Sequence, residues 1–152
     1  MVNYLTVQDI LWTHLQLCKR VDPFDYARLE DAVYLQYGYG RSVDLDTQAA
    51  QFLYGFAEKA PFGSGDDAVA FVGALAFLRL NGRELVLSDK DGVKWANECF
   101  ESATQAGHSI RTRVQPAHDH HESSVKAAIE AVIEHYPKTI AKLLAGSAVS
   151  AS

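Results

Sequence analysis

Ala60-Pro61-Phe62-Gly63-Ser64-Gly65-Asp66-Asp67-Ala68 leads without a break into Val69-Ala70-Phe71-Val72-Gly73-Ala74-Leu75-Ala76-Phe77-Leu78-Arg79-Leu80, and Asn81-Gly82 closes the run. Apolar residues at Ala68, Phe71, Val72, Leu75, Phe77 and Leu78 cover more than one helical face, so the run predicts a helix buried on most sides. The Gly-rich turn before it opens onto that helix, which is the arrangement whose backbone N–H groups cradle a phosphate. Its side chains point the other way. The cations and the nucleophile that such a site needs are absent, and two carboxylates, Asp66 and Asp67, stand at the helix start.

Upstream, Ala49, Ala50, Phe52, Leu53, Phe56 and Ala57 predict a second helix too apolar for a surface position, capped by Asp44 or Asp46. These two helices are the expected central pair. Thr6 and Asp9 come close to a capping box for a first helix reaching about Arg20, with Ile10, Leu11, His14, Leu15 and Cys18 on one face. Pro23 and Asp25 restart the chain into a helix carrying Leu29, Ala32, Val33 and Gln36, and Tyr37-Gly38-Tyr39-Gly40 breaks it. Downstream, Leu85-Val86-Leu87 reads as an extended connector. Ser88 and Asp91 read as caps of one helix that reaches Gln105 and is closed by Gly107. Ile110 to Gln115 reads as extended and Pro116 to Glu122 as loop. Ser123 or Ser124 caps a further helix to His135, Pro137 begins a short last one, and residues 145–152 form a frayed tail. With no internal repeat and no linker, the expectation is one all-α domain over residues 1–144, a helical bundle around the central pair.

The totals narrow the function class. A chain of 152 residues with a net charge of −5 fits a single core and lacks the basic face of a nucleic-acid binder. Two cysteines, Cys18 and Cys99, lie far apart in helical patterns, so free thiols in a reducing cytoplasm are expected rather than a disulfide framework. Met1–Trp12 has no basic-then-apolar leader, and no apolar run is long enough to span a bilayer; a cytoplasmic protein with no membrane partner is the expectation.

Four blocks, in order, resemble the Fic/Doc (Fido) family, and more narrowly its death-on-curing (Doc) branch. Tyr4-Leu5-Thr6-Val7-Gln8-Asp9-Ile10-Leu11 with His14 is similar to the opening of Doc-like chains. Ala27-Arg28-Leu29-Glu30-Asp31-Ala32-Val33 resembles the family's second helix, and Gln48-Ala49-Ala50-Gln51-Phe52-Leu53 the helix before its signature. Ala76-Phe77-Leu78-Arg79-Leu80-Asn81-Gly82-Arg83-Glu84-Leu85 matches the stretch after the signature almost letter for letter. The likeness covers about residues 3 to 105. The signature itself departs from the family pattern of His-Pro-Phe, two variable or acidic positions, Gly-Asn-Lys or Gly-Asn-Gly, then Arg. Pro61, Phe62 and Gly65 stand where expected, but the histidine position is Ala60, the acidic position Ser64, the asparagine Asp66, the Lys/Gly position Asp67 and the arginine Ala68. The resemblance implies that in active relatives the histidine is base or nucleophile for moving AMP or phosphate to a protein hydroxyl. It further implies that the asparagine and arginine hold phosphates and that the acidic residue binds metal. Each of those positions is vacant or inverted here, so no catalytic residue is assigned.

Phosphoryl transfer is mainly positioning plus stabilisation of charge on phosphoryl oxygens. In the degenerate phosphate loop of Phe62, Gly63, Ser64, Gly65, Asp66 and Asp67, the acidic pair is expected to cap the helix, gaining ~0.3–1 kcal/mol each from its dipole. A phosphate meeting those carboxylates would lose about 1–4 kcal/mol per pair at surface-like dielectric. Asp66 and Asp67 with Ser64 could instead hold Mg²⁺, with His14 as a substitute base, although a histidine on an apolar face is more often a satisfied core residue. His118, His120 and His121 are candidate metal ligands, against the expectation that Pro116 to Glu122 is a solvated polar loop and that no metal is bound. Tyr37 and Tyr39 are candidate contacts for a target or partner, or else covers over the end of the core. Cys18 and Cys99 lack the basic setting of a nucleophile, and Trp12 and Trp95 read as packing residues.

The first functional expectation is a pseudoenzyme: a Doc-like binding or regulatory module of toxin–antitoxin ancestry, needing no cofactor, whose partner is a protein, either an antitoxin-like segment or a second copy. The alternative is a divergent Fic/Doc transferase that moves phosphate or AMP from ATP, with Mg²⁺, to a protein hydroxyl. A third is an oligomeric interaction protein whose degraded cleft is an interface.

Overall fold

A computed structural model of the chain describes residues 2–38, 44–117 and 124–151, with side chains through Gly146. Thr6 begins α1 (Val7–Cys18) with a reciprocal capping box: its Oγ1 accepts from Asp9 N–H at 3.1 Å while Asp9 Oδ2 accepts from Thr6 N–H at 2.8 Å. Asp25 caps α2 (Tyr26–Tyr34) by accepting from Arg28 N–H, and a 3₁₀ turn at Leu35–Tyr37 follows it. Asp44, not Asp46, caps α3 (Leu45–Lys59).

The central helix is α4 (Asp66–Leu80), buried continuously from Ala68 to Leu78. It packs against α3, α1, α7 and α8, so an amphipathic stripe would be useless to it; its apolar residues run round the whole circumference. Gly73 sets the spacing to α3, because a Cβ there would stand 2.7 Å from Phe52 Cε1. Phe52, Phe56, Phe71 and Phe77 are all fully buried where the two helices meet their neighbours. The expected central pair is thus present, and the protein is an all-α single domain.

Past Asn81-Gly82 the chain differs from expectation. Arg83–Leu85 is a short strand, β1, which pairs antiparallel with β2 (Val114–Pro116), Leu85 opposite Val114. The predicted single helix to Gln105 is two helices, α5 (Gly92–Cys99) and α6 (Ala103–Arg111). Ser102 divides them by accepting from Gln105 N–H at 3.0 Å, and Gly107 lies buried inside α6 instead of closing a helix. Ser124 caps α7 (Val125–His135), and Asp89 receives both Lys138 N–H and Thr139 N–H at 2.9 Å at the start of α8 (Pro137–Ala151), which is longer than predicted. Among the described residues no helix is long and apolar enough to cross a membrane.

Candidate functional site

α3 ends at Ala60 in the left-handed region, φ 45° and ψ 58°, with its N–H on Phe56 C=O at 3.0 Å. Alanine there costs roughly 1–2 kcal/mol relative to glycine. The chain then turns through Pro61 and Phe62, both buried, and two glycines with positive φ, Gly63 at 79° and Gly65 at 76°. A Cβ at Gly63 would meet nothing within 4 Å, whereas one at Gly65 would stand 2.7 Å from Cys18 Sγ. Gly65 is required by both conformation and space.

Asp66 is 4% exposed, and its Oδ1 accepts from Phe62 N–H at 2.9 Å. The expected helix cap is therefore corrected: Gly65 is the N-cap residue, and no side chain caps α4. The paired left-handed glycines fold the loop back over the first turn of α4, which brings the Phe62 amide to the Asp66 carboxylate. Burial pushes that carboxyl up to about 6, against the lowering influence of the Phe62 and Gly63 amides, while the neighbouring Asp67 charge pushes it further up. Burial also raises Asp67. The Asp66 carboxylate thus occupies the inside of the turn, on the Phe62 amide.

α1 holds the loop from the other side. His14, 3% exposed, stacks on Phe62 with ring centroids 4.0 Å apart and planes at 16°, and its Nε2 lies 3.2 Å from Ser64 C=O. A carbonyl only accepts, so Nε2 carries the proton. Burial lowers the imidazole's pKa, opposed by that hydrogen bond and by Asp22. The neutral ring is a lock on the loop, with its Nε2 committed. Cys18, one turn on, packs against Gly65, and burial raises its thiol. Phe24 lies 5.6 Å from Phe62, Asp25 N–H donates to Pro61 C=O at 3.4 Å, and Arg28 Nη1 donates to Lys59 C=O at 3.1 Å, so the start of α2 also braces the turn.

The loop candidates Phe62, Gly63, Ser64, Gly65, Asp66 and Asp67 are thus gathered at one place, with no basic side chain among them. Tyr37 belongs elsewhere. It is half-buried, with its ring 4.3 Å from Tyr4 and 5.9 Å from Tyr34. Tyr39, His118, His120 and His121 lie outside the described residues. Among the described residues no group of three His, Cys, Asp or Glu is placed to hold a metal ion. Cys18 and Cys99 are free thiols, and burial pushes Cys99 up to about 12.

Sequence reasoning missed two things. The pairing of His14 and Cys18 with the loop was legible only as an i, i+4 spacing on one helix face. A cleft of about 490 Å³ along α1, lined in part by Trp12, Leu15, Phe24 and Phe62, had no linear signature at all. No protein-family model matches the chain, nor does any curated protein or solved structure.

Proposed function

We propose that the chain is a catalytically silent, Doc-like module that acts by binding a protein partner in the cytoplasm, an antitoxin-like segment or a second copy. One observation carries this reading: the buried Asp66 carboxylate accepts the Phe62 amide inside the loop where a phosphate would have to sit. An incoming phosphate would have to displace that carboxylate and then share the space with Asp67. Phosphoryl transfer also needs a base and cationic stabilisation of the transferring group. Ala60 and Ala68 supply neither, and His14 spends its Nε2 on Ser64. The family assignment rests on the four sequence blocks. The loop geometry supports the loss of chemistry.

Calorimetric titration with ATP and Mg²⁺ tests the reading. No saturable heat is expected at micromolar protein. Micromolar binding that depends on Asp66 or Asp67 would overturn it in favour of a transferase. A second protein, carrying Ala60→His, Asp66→Asn, Asp67→Lys and Ala68→Arg, is expected to regain nucleotide binding if the framework is intact. If it folds and still does not bind, the cleft itself has closed, which favours an oligomeric interaction protein whose degraded cleft is an interface.

A further inference from the structure

The cleft along α1 is mostly apolar in its lining, with a few polar side chains among the residues that line it. Trp12 and Phe24 are half-buried, while Leu15 and Val21 remain 39% and 78% exposed. A volume of about 490 Å³ lies within the range of small-molecule sites, which are mostly apolar with a few placed polar groups. The commitments of the ionisable groups among them narrow the class of ligand. Asp9 spends Oδ2 on the Thr6 amide. Arg20 and Asp22 hold each other at 2.9 Å. His14 donates to Ser64. Lys126, at the start of α7, is different: it is exposed, its ammonium lies 5.3 Å from the centroid of the Trp12 ring, and no acidic side chain among the described residues pairs with it. An exposed cation resting on an aromatic face in a mostly apolar cleft complements an apolar body that ends in a negative charge.

We propose that this cleft binds a small amphiphilic carboxylate, a medium-chain or aryl acid, with its apolar body against Trp12, Leu15 and Phe24 and its carboxylate on Lys126. The site goes beyond the reading of the loop and stands without it, because none of its named contacts depends on what the loop once bound. Phe62 and His14 line the cleft and also hold the loop, so the two share a wall.

Octanoate and its neutral isostere octanamide are the probes, read by the indole N–H resonances of the two tryptophans. Trp95 is the internal control, since it is 4% exposed and donates to Ser109 C=O. Octanoate is expected to shift the Trp12 resonance saturably and leave that of Trp95 in place. Lys126→Met is expected to weaken octanoate binding by about two- to fivefold, the upper part of the range for one exposed ion pair. Octanamide is expected to bind the unaltered protein about as weakly as octanoate binds the variant. Equal affinity for octanoate and octanamide, or no saturable shift at Trp12, would overturn the proposal. Lys126 is exposed, and an unchanged amide spectrum of the variant establishes that the fold is intact. ATP titration and octanoate titration fail independently, so loss of one reading leaves the other standing.

Discussion

The loop at residues 60–66 and the cleft along α1 share a wall of Phe62 and His14, yet they treat their polar groups in opposite ways. In the loop, polar groups are paired within the chain: Phe62 N–H donates to Asp66, Gly63 N–H donates to Ala60 C=O at 3.3 Å, and the Ser64 carbonyl accepts from His14. In the cleft, apolar side chains stay wet, and Lys126 rests on the Trp12 ring with no acidic partner among the described residues. Binding capacity lies with unsatisfied groups rather than with a familiar contour, because a ligand gains only by replacing water or by pairing what was unpaired. The loop should therefore matter to stability, and the cleft to binding.

The strongest attempt to break that division is Phe62→Ala. Phe62 is 6% exposed and packs on rings from α1, the α1–α2 connection and α3, namely His14, Phe24 and Phe56. Removing it is expected to cost about 3–5 kcal/mol in urea denaturation, as for a buried aromatic in a packed core. A loss under about 1 kcal/mol would mean that the loop is a loose appendage and not part of the core. Gly65→Ala and Gly63→Ala sharpen the same point. Both residues have positive φ, and that strain alone costs roughly 1–2 kcal/mol in each. At Gly65 the new methyl also meets Cys18 Sγ, so its loss should exceed that of Gly63→Ala by about 1–3 kcal/mol.

Asp66 gives a pH-dependent test. Its carboxyl moves from an ordinary 3.8 to about 6 on folding, so between those values the folded state binds more protons than the unfolded chain. Its contribution to stability is full below pH 3.8 and is lost as pH rises through about 6, a change on the order of 2 kcal/mol. His14 works against it: the lowered imidazole keeps its contribution above pH 6.5 and loses it as pH falls. Asp66→Asn keeps an acceptor for Phe62 N–H and removes the titration. Its stability relative to the unaltered protein should rise between pH 4 and 7, and a flat difference curve would put the charged carboxylate at ease where it lies. Asp66→Ala leaves the Phe62 amide without its partner and should cost about 1–3 kcal/mol at pH 5.

How much of this was legible depended on whether the physics was local. The apolar circumference of α4, the Thr6–Asp9 box and the Asn81-Gly82 stop are read over one or two turns, and all three appear in the fold. The break between α5 and α6 was also written locally, in Ser102 with Gln105 three residues on, but helical periodicity on both sides concealed it. Gly107 misled because glycine is a stop signal only where a left-handed residue is needed, and here it lies within α6 beneath the Arg111 guanidinium, 2.9 Å from where a Cβ would be. At the site, acidic residues at a helix start predicted a cap. The fold-back of two left-handed glycines decided otherwise, and no window of sequence records where that return brings the Phe62 amide. The cleft is assembled from α1, the Arg20–Phe24 connection, Phe62 and Lys126, distant in the chain and joined only by packing.

The smallest expected effect completes the contrast. Leu15→Ala trims a side chain that is 39% exposed, and Lys126→Met removes a charge with no acidic partner among the described residues. Each should change unfolding free energy by no more than about 0.5 kcal/mol, because neither opens a buried cavity nor strands a polar group. The pair should also be additive within about 0.3–0.5 kcal/mol, since they share no hydrogen bond or ion pair. A loss of about 2 kcal/mol from Leu15→Ala in the same urea experiment would show that the cleft wall is structural core and that its exposed apolar surface is needed to hold α1 in place. Near-neutral values beside the large Phe62→Ala loss would instead separate the two regions on a single stability scale. Phe62 would then mark the boundary, buried on the loop side and bordering open space on the other.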